Sequence, residues 1–237
     1  LKDLCNDVDL RNGIIRQKTN DNSAIFEIDL TPILTENMSM SISHLKEKLD
    51  LIKIFIGQEV TIENSGEGQD KATTFSDQYS SLKMLDPDYD FLDNKFIEDS
   101  QFEMLTAIDQ DSLMINTSII KKISDRIKVI TQGFHVNNIQ VVFEGEKGLI
   151  AAVTQSKDQF AKLMVDIDLE EELNGSANIV STPFIIDHDG DINFQMFRTA
   201  TDRALGKFST TISDININIY TRSPIIEENK EDEEENE

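Results

Sequence analysis

The chain has 237 residues, is 38% hydrophobic and carries a formal net charge of −23, so it can bury one large core or two modest ones. The acidic balance argues against general adhesion to nucleic acid or anionic membranes, although it does not exclude a local basic surface. A single cysteine, Cys5, rules out an intrachain disulfide, and no run reaches the roughly 20 apolar residues that span a bilayer. The first ten residues also lack the features of a secretion signal, so we expect a soluble, cytoplasmic protein with no membrane partner.

The first half of the chain predicts a helix tail, a hairpin, a helix and further strands. Leu1, Leu4 and Val8 have helical spacing. "GIIRQ" and "AIFEIDL" are separated by the turn-rich "KTNDNS", which predicts a β-hairpin. "SISHLKEKLDLIKIF", residues 41–55, predicts an amphipathic helix, and "QEVTIE" and "ATTFSDQYSSLKML" predict strands. The apolar face of that helix comprises Ile42, Leu45, Leu49 and Ile52.

The second half repeats this order after an acidic, turn-prone segment. "INTSIIKKISDRIKVITQG" predicts the strongest helix, capped by Asn116 or Thr117 and ended by Gly133. "NIQVVFEGEKGLIAAV" then predicts a hairpin over "EGEKG", and "AKLMVDIDL" a strand ended by "NGSAN". "FIIDHDG" takes the place of a second, short helix, and "INFQMF" and "GKFSTTISDININIY" predict the closing strands. The buried face of the strong helix comprises Ile119, Ile120, Ile123, Ile127 and Ile130.

Two near-identical strands support an internal duplication. "FEIDL" at Phe26–Leu30 and "VDIDL" at Val165–Leu169 share the same alternation and occupy matching places in the two halves. We therefore predict a first domain at 1–88, a connector at 89–104 and a second domain at 105–225. The last segment, 226–237, carries eight acids and one lysine from Glu227 onward and is predicted to be a disordered acidic tail.

Motifs for catalysis or cofactor binding are absent from the sequence. There is no G-x-S-x-G, no phosphate-binding loop and no zinc-type Cys/His spacing. "DHDGD" at Asp187–Asp191 suggests calcium, but an EF-hand loop needs glycine sixth and glutamate twelfth, whereas Gly190 is fourth and Arg198 twelfth. The motif is better interpreted as a turn. We predict a protein that is not an enzyme and has no metal or cofactor.

Basic residues are concentrated on the predicted helices of this acidic chain. Four cations accompany one acid, Asp125, on the helix in the second half, and two more lysines share one side of the helix in the first half. An ordinary solvated face and a surface for phosphates that reads no bases both account for this pattern. The residues concerned are Lys46, Lys53, Lys121, Lys122, Arg126 and Lys128.

From about Arg11 to Ser223 the order of these segments resembles the DNA polymerase sliding clamps, most closely those of the T-even phages. "AIFEIDL" followed by "SISHLKEKLDLIKIF" is similar to the first clamp domain, and "INTSIIKKISDRIKVI" with "NIQVVFEGEKGLIAAV" is similar to the second. The resemblance implies an α+β, duplicated two-domain fold with antiparallel β-sheets outside and helices lining the pore of a ring-shaped homotrimer. It also implies a processivity factor in DNA replication, loaded around double-stranded DNA by an ATP-dependent clamp loader, that tethers the polymerase.

The resemblance also implies where a clamp of this kind would meet its partners. The six cations named above would face DNA in the pore, and the edges "TTFSDQY" and "KLMVDIDL" would join subunits head to tail. Late-transcription machinery is a further implied partner of the phage type. A pocket for partner peptides would comprise Leu85, Tyr89, Phe91, Leu92, Ile225 and Ile226. The alternative for these apolar residues is that they attach the connector to its own domains.

Two other classes of protein fit part of the pattern. A non-enzymatic, β-rich viral structural protein, associated with the virion or tail, accounts for the acidic, cysteine-poor composition and for an internal duplication. An acidic mimic of DNA accounts for the net charge. Neither explains why lysines gather on the strongest amphipathic helix, so the clamp is the preferred hypothesis.

Overall fold

The computed structural model describes residues 4–34, 38–66, 70–85, 95–106, 113–134, 138–155, 160–180, 182–186, 188–199 and 203–226. The chain forms two compact units: Leu1–Phe102 with Asp214–Asn216, and Glu103–Ser213 with Ile217–Glu237. Residues 89–94 of the predicted connector and residues 227–237 of the predicted tail lie outside the described residues.

The described part of the first unit contains two antiparallel sheets, one complete helix and the start of a second helix. The strands are β1 (Val8–Arg11), β2 (Ile14–Lys18), β3 (Ala24–Asp29), β4 (Met40–Ile42), β5 (Thr61–Ser65), β6 (Ala72–Ser76) and β7 (Ser81–Leu85). The sheets have the orders β4-β1-β2-β3 and β5-β6-β7. Helix α1 (Leu45–Ile52) continues as a single 3-10 turn, Lys53–Phe55, whose Phe55 is buried against Phe75 and Met84 of the three-stranded sheet.

The start of the chain differs from the prediction. Val8 lies in β1, not in a helix tail, and β1 pairs with β2 through a turn at Asn12-Gly13. Both turn residues have positive φ, at 51° and 80°, which is the geometry that asparagine and glycine adopt in tight hairpins. The predicted hairpin between "GIIRQ" and "AIFEIDL" is confirmed, because β2 and β3 pair in register from Ile14↔Asp29 to Lys18↔Ile25.

Two further predictions for the first unit are wrong. The helix begins at Leu45, and Ile42 instead lies in β4, where it pairs with Val8. "TTFSDQY" is not an edge, since β6 is the central strand of its sheet and β5 and β7 flank it. The turn that separates β6 from β7 is held by Asp77, whose carboxylate accepts hydrogen bonds from the N–H groups of Tyr79 and Ser80.

The second unit is built on six strands and a long helix. Its elements are α2 (Asp99–Thr106, which begins in the first unit), β8 (Leu113–Ile119), α3 (Lys121–Phe134), β9 (Asn138–Gln155), β10 (Phe160–Val180), α4 (Thr182–Ile185), β11 (Ile192–Arg198), β12 (Arg203–Ile212) and β13 (Ile215–Ile226). The strand order is β13-β12-β11-β8-β10-β9. The predicted short helix is displaced: α4 ends at Ile185 and shares only Phe184 and Ile185 with "FIIDHDG". Strands β11, β12 and β13 confirm the closing strands.

Strands β9 and β10 form one long antiparallel ribbon. β9 runs through "EGEKG", so the predicted hairpin there is wrong, and β10 runs through "NGSAN" without a break. The register shifts between Asp168 and Leu173, opposite Lys147 and Gly145, whereas Gly148 and Gly175 lie in regular pairs with Ile167 and Phe143. A bulge of this kind accommodates extra residues on one strand while pairing resumes on both sides.

Aromatic packing forms the core of the second unit. The Phe194 and Phe208 rings stack with centroids 4.5 Å apart, and Phe184 meets Phe208 edge to face at 5.5 Å. Gly206 of β12 lies against this cluster, where an added Cβ would come within 2.9 Å of Thr221 Oγ1. Thr221 is buried, and no hydrogen-bond partner for its hydroxyl lies among the described residues.

The described end of the predicted connector packs on the first unit. Gln17 and Phe96 form a β-bridge, and the Ile97 N–H donates to the Arg16 carbonyl oxygen at 2.8 Å. Arg11 lies over the Phe96 ring, 4.6 Å from its centroid. Phe96 thus attaches this end of the segment to the first unit, whereas Tyr89, Phe91 and Leu92, on which the two interpretations of the connector depend, lie outside the described residues.

Candidate nucleic-acid interface

The most basic helix of the described chain is α3, which follows β8 after one residue. The predicted caps, Asn116 and Thr117, lie in β8, and the first residue of the helix is Lys121. Ile120 takes the capping position, and its carbonyl oxygen accepts from the Ile123 and Ser124 N–H groups at 2.8 and 3.1 Å. An isoleucine side chain cannot accept a hydrogen bond, so the cap of this helix must come from elsewhere.

That cap comes from the loop before β11. Asp191 Oδ1 accepts a hydrogen bond from the Lys121 N–H at 2.8 Å, across 70 residues of sequence. In the same loop the His188 ring is buried, and its Nε2 lies 2.9 Å from the Ser124 hydroxyl in the first turn of α3. His188 Nδ1 donates to the Gly190 carbonyl oxygen at 2.6 Å. The "DHDGD" motif is therefore a structural turn that holds the start of α3.

The buried and exposed faces of α3 follow its helical period. Ser124 and Ile127 are fully buried, and Ile123 is half-buried beside them. Ile119 is buried as part of β8, whereas Ile120 is 51% exposed, so these two do not extend the helical face as predicted. The side chain of Ile130, the last residue of the predicted face, lies outside the described part of the structure.

Cations surround the exposed face of α3. Lys122 and Arg126 are exposed, whereas Lys121 and Lys128 are half-buried. The Lys121 ammonium pairs with Asp125 at 2.9 Å, one turn along. Four cations against one acid give this face a net charge of +3, in a chain whose total is −23.

The helix of the first unit is less basic than predicted. Lys46 is exposed on α1, and Lys53 is exposed in the 3-10 turn, where its ammonium pairs with Asp50 at 2.5 Å. Lys48 is half-buried and donates to the Leu85 carbonyl oxygen at 3.2 Å. With Glu47 and Asp50 in the same helix, its three lysines carry little excess charge.

Solved structures of PCNA and of beta clamps have a backbone similar to that of this chain. The chain matches A. fulgidus PCNA, solved as "C-terminal region of FEN-1 bound to A. fulgidus PCNA", at 11% identity and a TM-score of 0.58, covering 96% of this chain and 93% of that one. It matches the Proliferating Cellular Nuclear Antigen of Entamoeba histolytica at 11% identity and a TM-score of 0.54, covering 94% of this chain and 91% of that one. The match to the H. pylori beta clamp has 11% identity and a TM-score of 0.59, and it covers 92% of this chain but only 58% of that one.

The chain has the sliding-clamp fold. No family model and no curated protein matches its sequence, so the likeness lies in the backbone. The sliding-clamp fold with antiparallel sheets, expected from the order of segments, is confirmed at that level, whereas the internal duplication stays a prediction. The chain spans nearly the whole of the PCNA chains and little over half of the beta clamps.

Residues predicted for a partner pocket are only partly described within this clamp fold. Leu85 ends β7 in the first unit and is 64% exposed. Ile225 and Ile226 lie at the end of β13, where their backbones pair with Ala177 and Ser176 of β10. Tyr89, Phe91 and Leu92 lie outside the described residues. The pocket therefore stays a prediction.

The described residues offer little for metal binding, membrane insertion or thiol chemistry. Among the described residues, no group of histidine, cysteine and acidic side chains could hold a metal ion. The described helices include none that is long and apolar enough to cross a membrane. Burial raises the pKa of the Cys5 thiol to about 11, so this cysteine is a poor nucleophile at neutral pH.

The residues that hold α3 were missed at the sequence level. Local capping rules select polar residues just before the helix, and Asn116 and Thr117 satisfied those rules. The available signal was a conflict: two lysines open the helix without an acid in its first turn, which a helix dipole disfavours. Such a conflict indicates that a carboxylate arrives from a distant segment, although it does not identify Asp191.

Proposed function

We propose that this protein is a DNA sliding clamp that encircles duplex DNA and tethers a replicative DNA polymerase. The observation that carries the proposal is the exposed cationic face of α3 on a sliding-clamp fold in a strongly acidic chain. The finer parts of the proposal are a homotrimeric ring of the T-even phage type and loading by an ATP-dependent clamp loader. Late-transcription machinery is included as a further partner.

Electrostatics favours this role over specific DNA recognition. Lysine and arginine attract phosphates whatever the sequence, and that attraction weakens as salt rises. A ring that slides needs such weak, uniform contacts, because hydrogen bonds to base edges would hold it at one site. The remaining surface, with its excess of acids, repels DNA and confines it to the cationic face. We assign Lys121, Lys122, Arg126 and Lys128 to that face, with Lys46 and Lys53 as lesser contributors.

An edge of β10 supports head-to-tail assembly of such a ring. Over Phe160–Asp168 the described pairings of β10 are with β9 alone, and β8 joins only at Leu169. An exposed strand edge of this length is a template for another strand. We propose that this edge, which contains "KLMVDIDL", pairs with an edge strand of the next subunit. In the first unit β5 and β7 are the edge strands of their sheet, so they replace "TTFSDQY" as candidates.

Partner proteins would bind near the predicted pocket. Leu85 is an exposed leucine at the end of β7, which suits an apolar anchor for a short peptide. In the A. fulgidus PCNA structure, the C-terminal region of FEN-1 is bound to PCNA. By analogy we propose that the polymerase presents such a segment to Leu85, Tyr89, Phe91, Leu92, Ile225 and Ile226.

The first test is the particle itself. Negative-stain electron microscopy after gentle cross-linking is expected to show closed rings of three subunits with a hole wide enough for duplex DNA. Solid, filamentous or purely monomeric particles would contradict the proposal and would favour a β-rich viral structural subunit.

The second test is charge reversal on α3. Lys122 and Arg126 are the best targets because both are exposed and no ion pair of theirs lies among the described residues. The Lys122→Glu/Arg126→Glu double variant is expected to lose processive synthesis in a reconstituted polymerase assay. Lys18→Glu/Arg203→Glu is the matched control, since it makes the same charge change at exposed positions outside the helices. Equal activity of the two variants would contradict the assignment of α3 to DNA.

A further inference from the structure

Helix α3 begins with charges that oppose its own dipole. Lys121 and Lys122 are its first two residues, and its first turn contains no acid. The N-terminus of a helix carries a partial positive charge, so cations in its first turn are electrostatically unfavourable. The residue in the capping position, Ile120, adds no side-chain acceptor and is half exposed. The sequence of the helix alone therefore favours fraying of the turn that presents these two lysines.

The loop His188–Asp191 counteracts this fraying. Asp191 accepts the hydrogen bond of the Lys121 N–H, and its carboxylate lies at the positive end of the helix dipole. The Asp191 backbone is fixed in turn, because the Thr210 hydroxyl of β12 donates to its carbonyl oxygen at 3.4 Å. The cap is thus carried by the sheet and not by the chain that leads into the helix.

The same loop contacts the helix a second time. Ser124 is completely buried, and its hydroxyl lies 2.8 Å from the Lys121 carbonyl oxygen and 2.9 Å from His188 Nε2. Asp189 anchors the loop to the turn after β12: its carboxylate accepts from the Ser213 N–H at 2.7 Å, and its own N–H donates to the Thr211 carbonyl oxygen at 3.1 Å. Two contacts to one helical turn fix its position as well as its start.

We propose that Asp191 and His188 are positioning residues for DNA binding, which hold Lys121 and Lys122 on the exposed face of α3. This inference rests on the proposed function, because it assigns a role at the same DNA-facing surface. An acid beside phosphate-binding lysines opposes DNA binding by its charge alone. Its presence there is explained by the hydrogen bond that it supplies to the helix. Charge and position thus predict opposite results when Asp191 is replaced, which makes the idea testable.

The experiment compares Asp191→Asn with Asp191→Ala. Both variants remove the negative charge, but asparagine keeps a side-chain oxygen that can cap the helix, and alanine does not. Binding to a short, fluorescently labelled linear duplex is measured by anisotropy at low and rising salt. We expect Asp191→Asn to bind at least as tightly as the wild type, and Asp191→Ala to bind about fivefold more weakly than Asp191→Asn, in line with the loss of one cap. The salt dependence of Asp191→Ala should also be shallower, because fewer phosphates are contacted.

Hydrogen exchange provides a readout at the helix itself. The amides of residues 121–124 should exchange faster in Asp191→Ala than in the wild type and Asp191→Asn. If Asp191→Ala does not fold, Ser124→Ala tests the second contact of the loop, and it should weaken duplex binding without any change of charge. Equal duplex affinities for Asp191→Ala and Asp191→Asn, or no effect of Ser124→Ala where that variant is used, would overturn the inference.

Failure of this inference can be separated from failure of the proposed function. The Lys122→Glu/Arg126→Glu variant is measured in the same duplex assay. If it binds the duplex as the wild type does and also keeps processive synthesis in the reconstituted polymerase assay, α3 is not the DNA surface and both proposals fall. If charge reversal weakens binding while the two Asp191 variants stay equal, only the positioning role is refuted.

Discussion

Replacement of Arg16 by methionine should destabilise the first unit by about 2 kcal/mol. The Arg16 guanidinium is largely buried between β3 and α2, with 10% of its side chain exposed. It donates from Nε to the Glu27 carboxylate at 2.8 Å and pairs with Asp99 at 2.5 Å, and it lies 4.2 Å from the centre of the Phe102 ring. Burial lowers the pKa of Arg16, but hydrogen bonds to Asp99 and Glu27 outweigh it and raise the pKa above its usual value.

The three contacts differ in what they contribute. Asp99 is 88% exposed, so its ion pair contributes about 0.5 kcal/mol or less. Glu27 is 19% exposed, and charged hydrogen bonds to it contribute at least about 1.5 kcal/mol. The cation–π contact with Phe102 adds about 1 kcal/mol. Methionine retains the apolar stem and recovers about 1 kcal/mol through packing, which leaves the loss of about 2 kcal/mol.

Urea unfolding followed by circular dichroism measures this loss. Asp99→Asn is the matched control, and it should cost less than about 0.5 kcal/mol because the carboxylate is exposed. A double-mutant cycle of Arg16→Met with Glu27→Gln should give a coupling free energy of about 1 kcal/mol or more. A loss below about 0.5 kcal/mol for Arg16→Met, or strict additivity in the cycle, would refute the reasoning from burial.

Three further substitutions test other parts of the structure. Thr221→Val should raise the free energy of unfolding by about 1 kcal/mol in urea, because the buried hydroxyl has no partner among the described residues; a loss of stability would indicate that it has one. Burial raises the pKa of Asp7, but hydrogen bonds from Lys95 and the His44 N–H outweigh it and leave the pKa below 3.8. The stabilisation by Asp7 is therefore present above pH 3.8 and is lost as the pH falls through the lower pKa of the folded state. Asp7→Asn should therefore lose less free energy of unfolding on acidification than the wild type does. An unchanged pH dependence would count against the Asp7–Lys95 pair. Cys5, with its pKa raised to about 11, should react with a thiol reagent at pH 8 far more slowly in the native than in the urea-unfolded protein, and equal rates would disprove its burial.

Local patterns in the sequence predicted most strands and the sequence ranges of both main helices. Alternation in "AIFEIDL" and "INFQMF" matches β3 and β11, because one face of each strand is buried. The predicted helix boundaries were wrong where an apolar residue fits both the spacing of a helix and that of the preceding strand. Ile42 and Ile119 fit the helical spacing, yet each belongs to the strand before the helix. Spacing alone cannot separate these cases, since the partner strand that decides them is remote in sequence.

Glycine residues led to one turn that was predicted wrongly, and one turn that contains a glycine was not predicted. "EGEKG" suggested a turn, but β9 continues through it and pairs with β10, which follows the end of β9; of the two glycines only Gly145 borders the register shift. By contrast, the Asn12-Gly13 turn was missed because Leu1, Leu4 and Val8 suggested a helix. The cations of α3 were identified from the sequence, but the loop that holds them was not, because hydrogen bonds across 70 residues leave no periodic trace.

The long β9–β10 ribbon has a consequence for how the chain reaches its final state. Its inner part is flanked by β13 at Ser176 and Ala177, whereas for its outer part, Phe160–Asp168, the described partner is β9 alone. Two strands by themselves are marginally stable in water. In the proposed ring, the outer part would therefore complete its folding only when a neighbouring subunit supplies a third strand, and this step of folding would depend on protein concentration. Dilution would then act on this protein as a selective denaturant, which loosens the ribbon while the aromatic core around Phe208 remains intact.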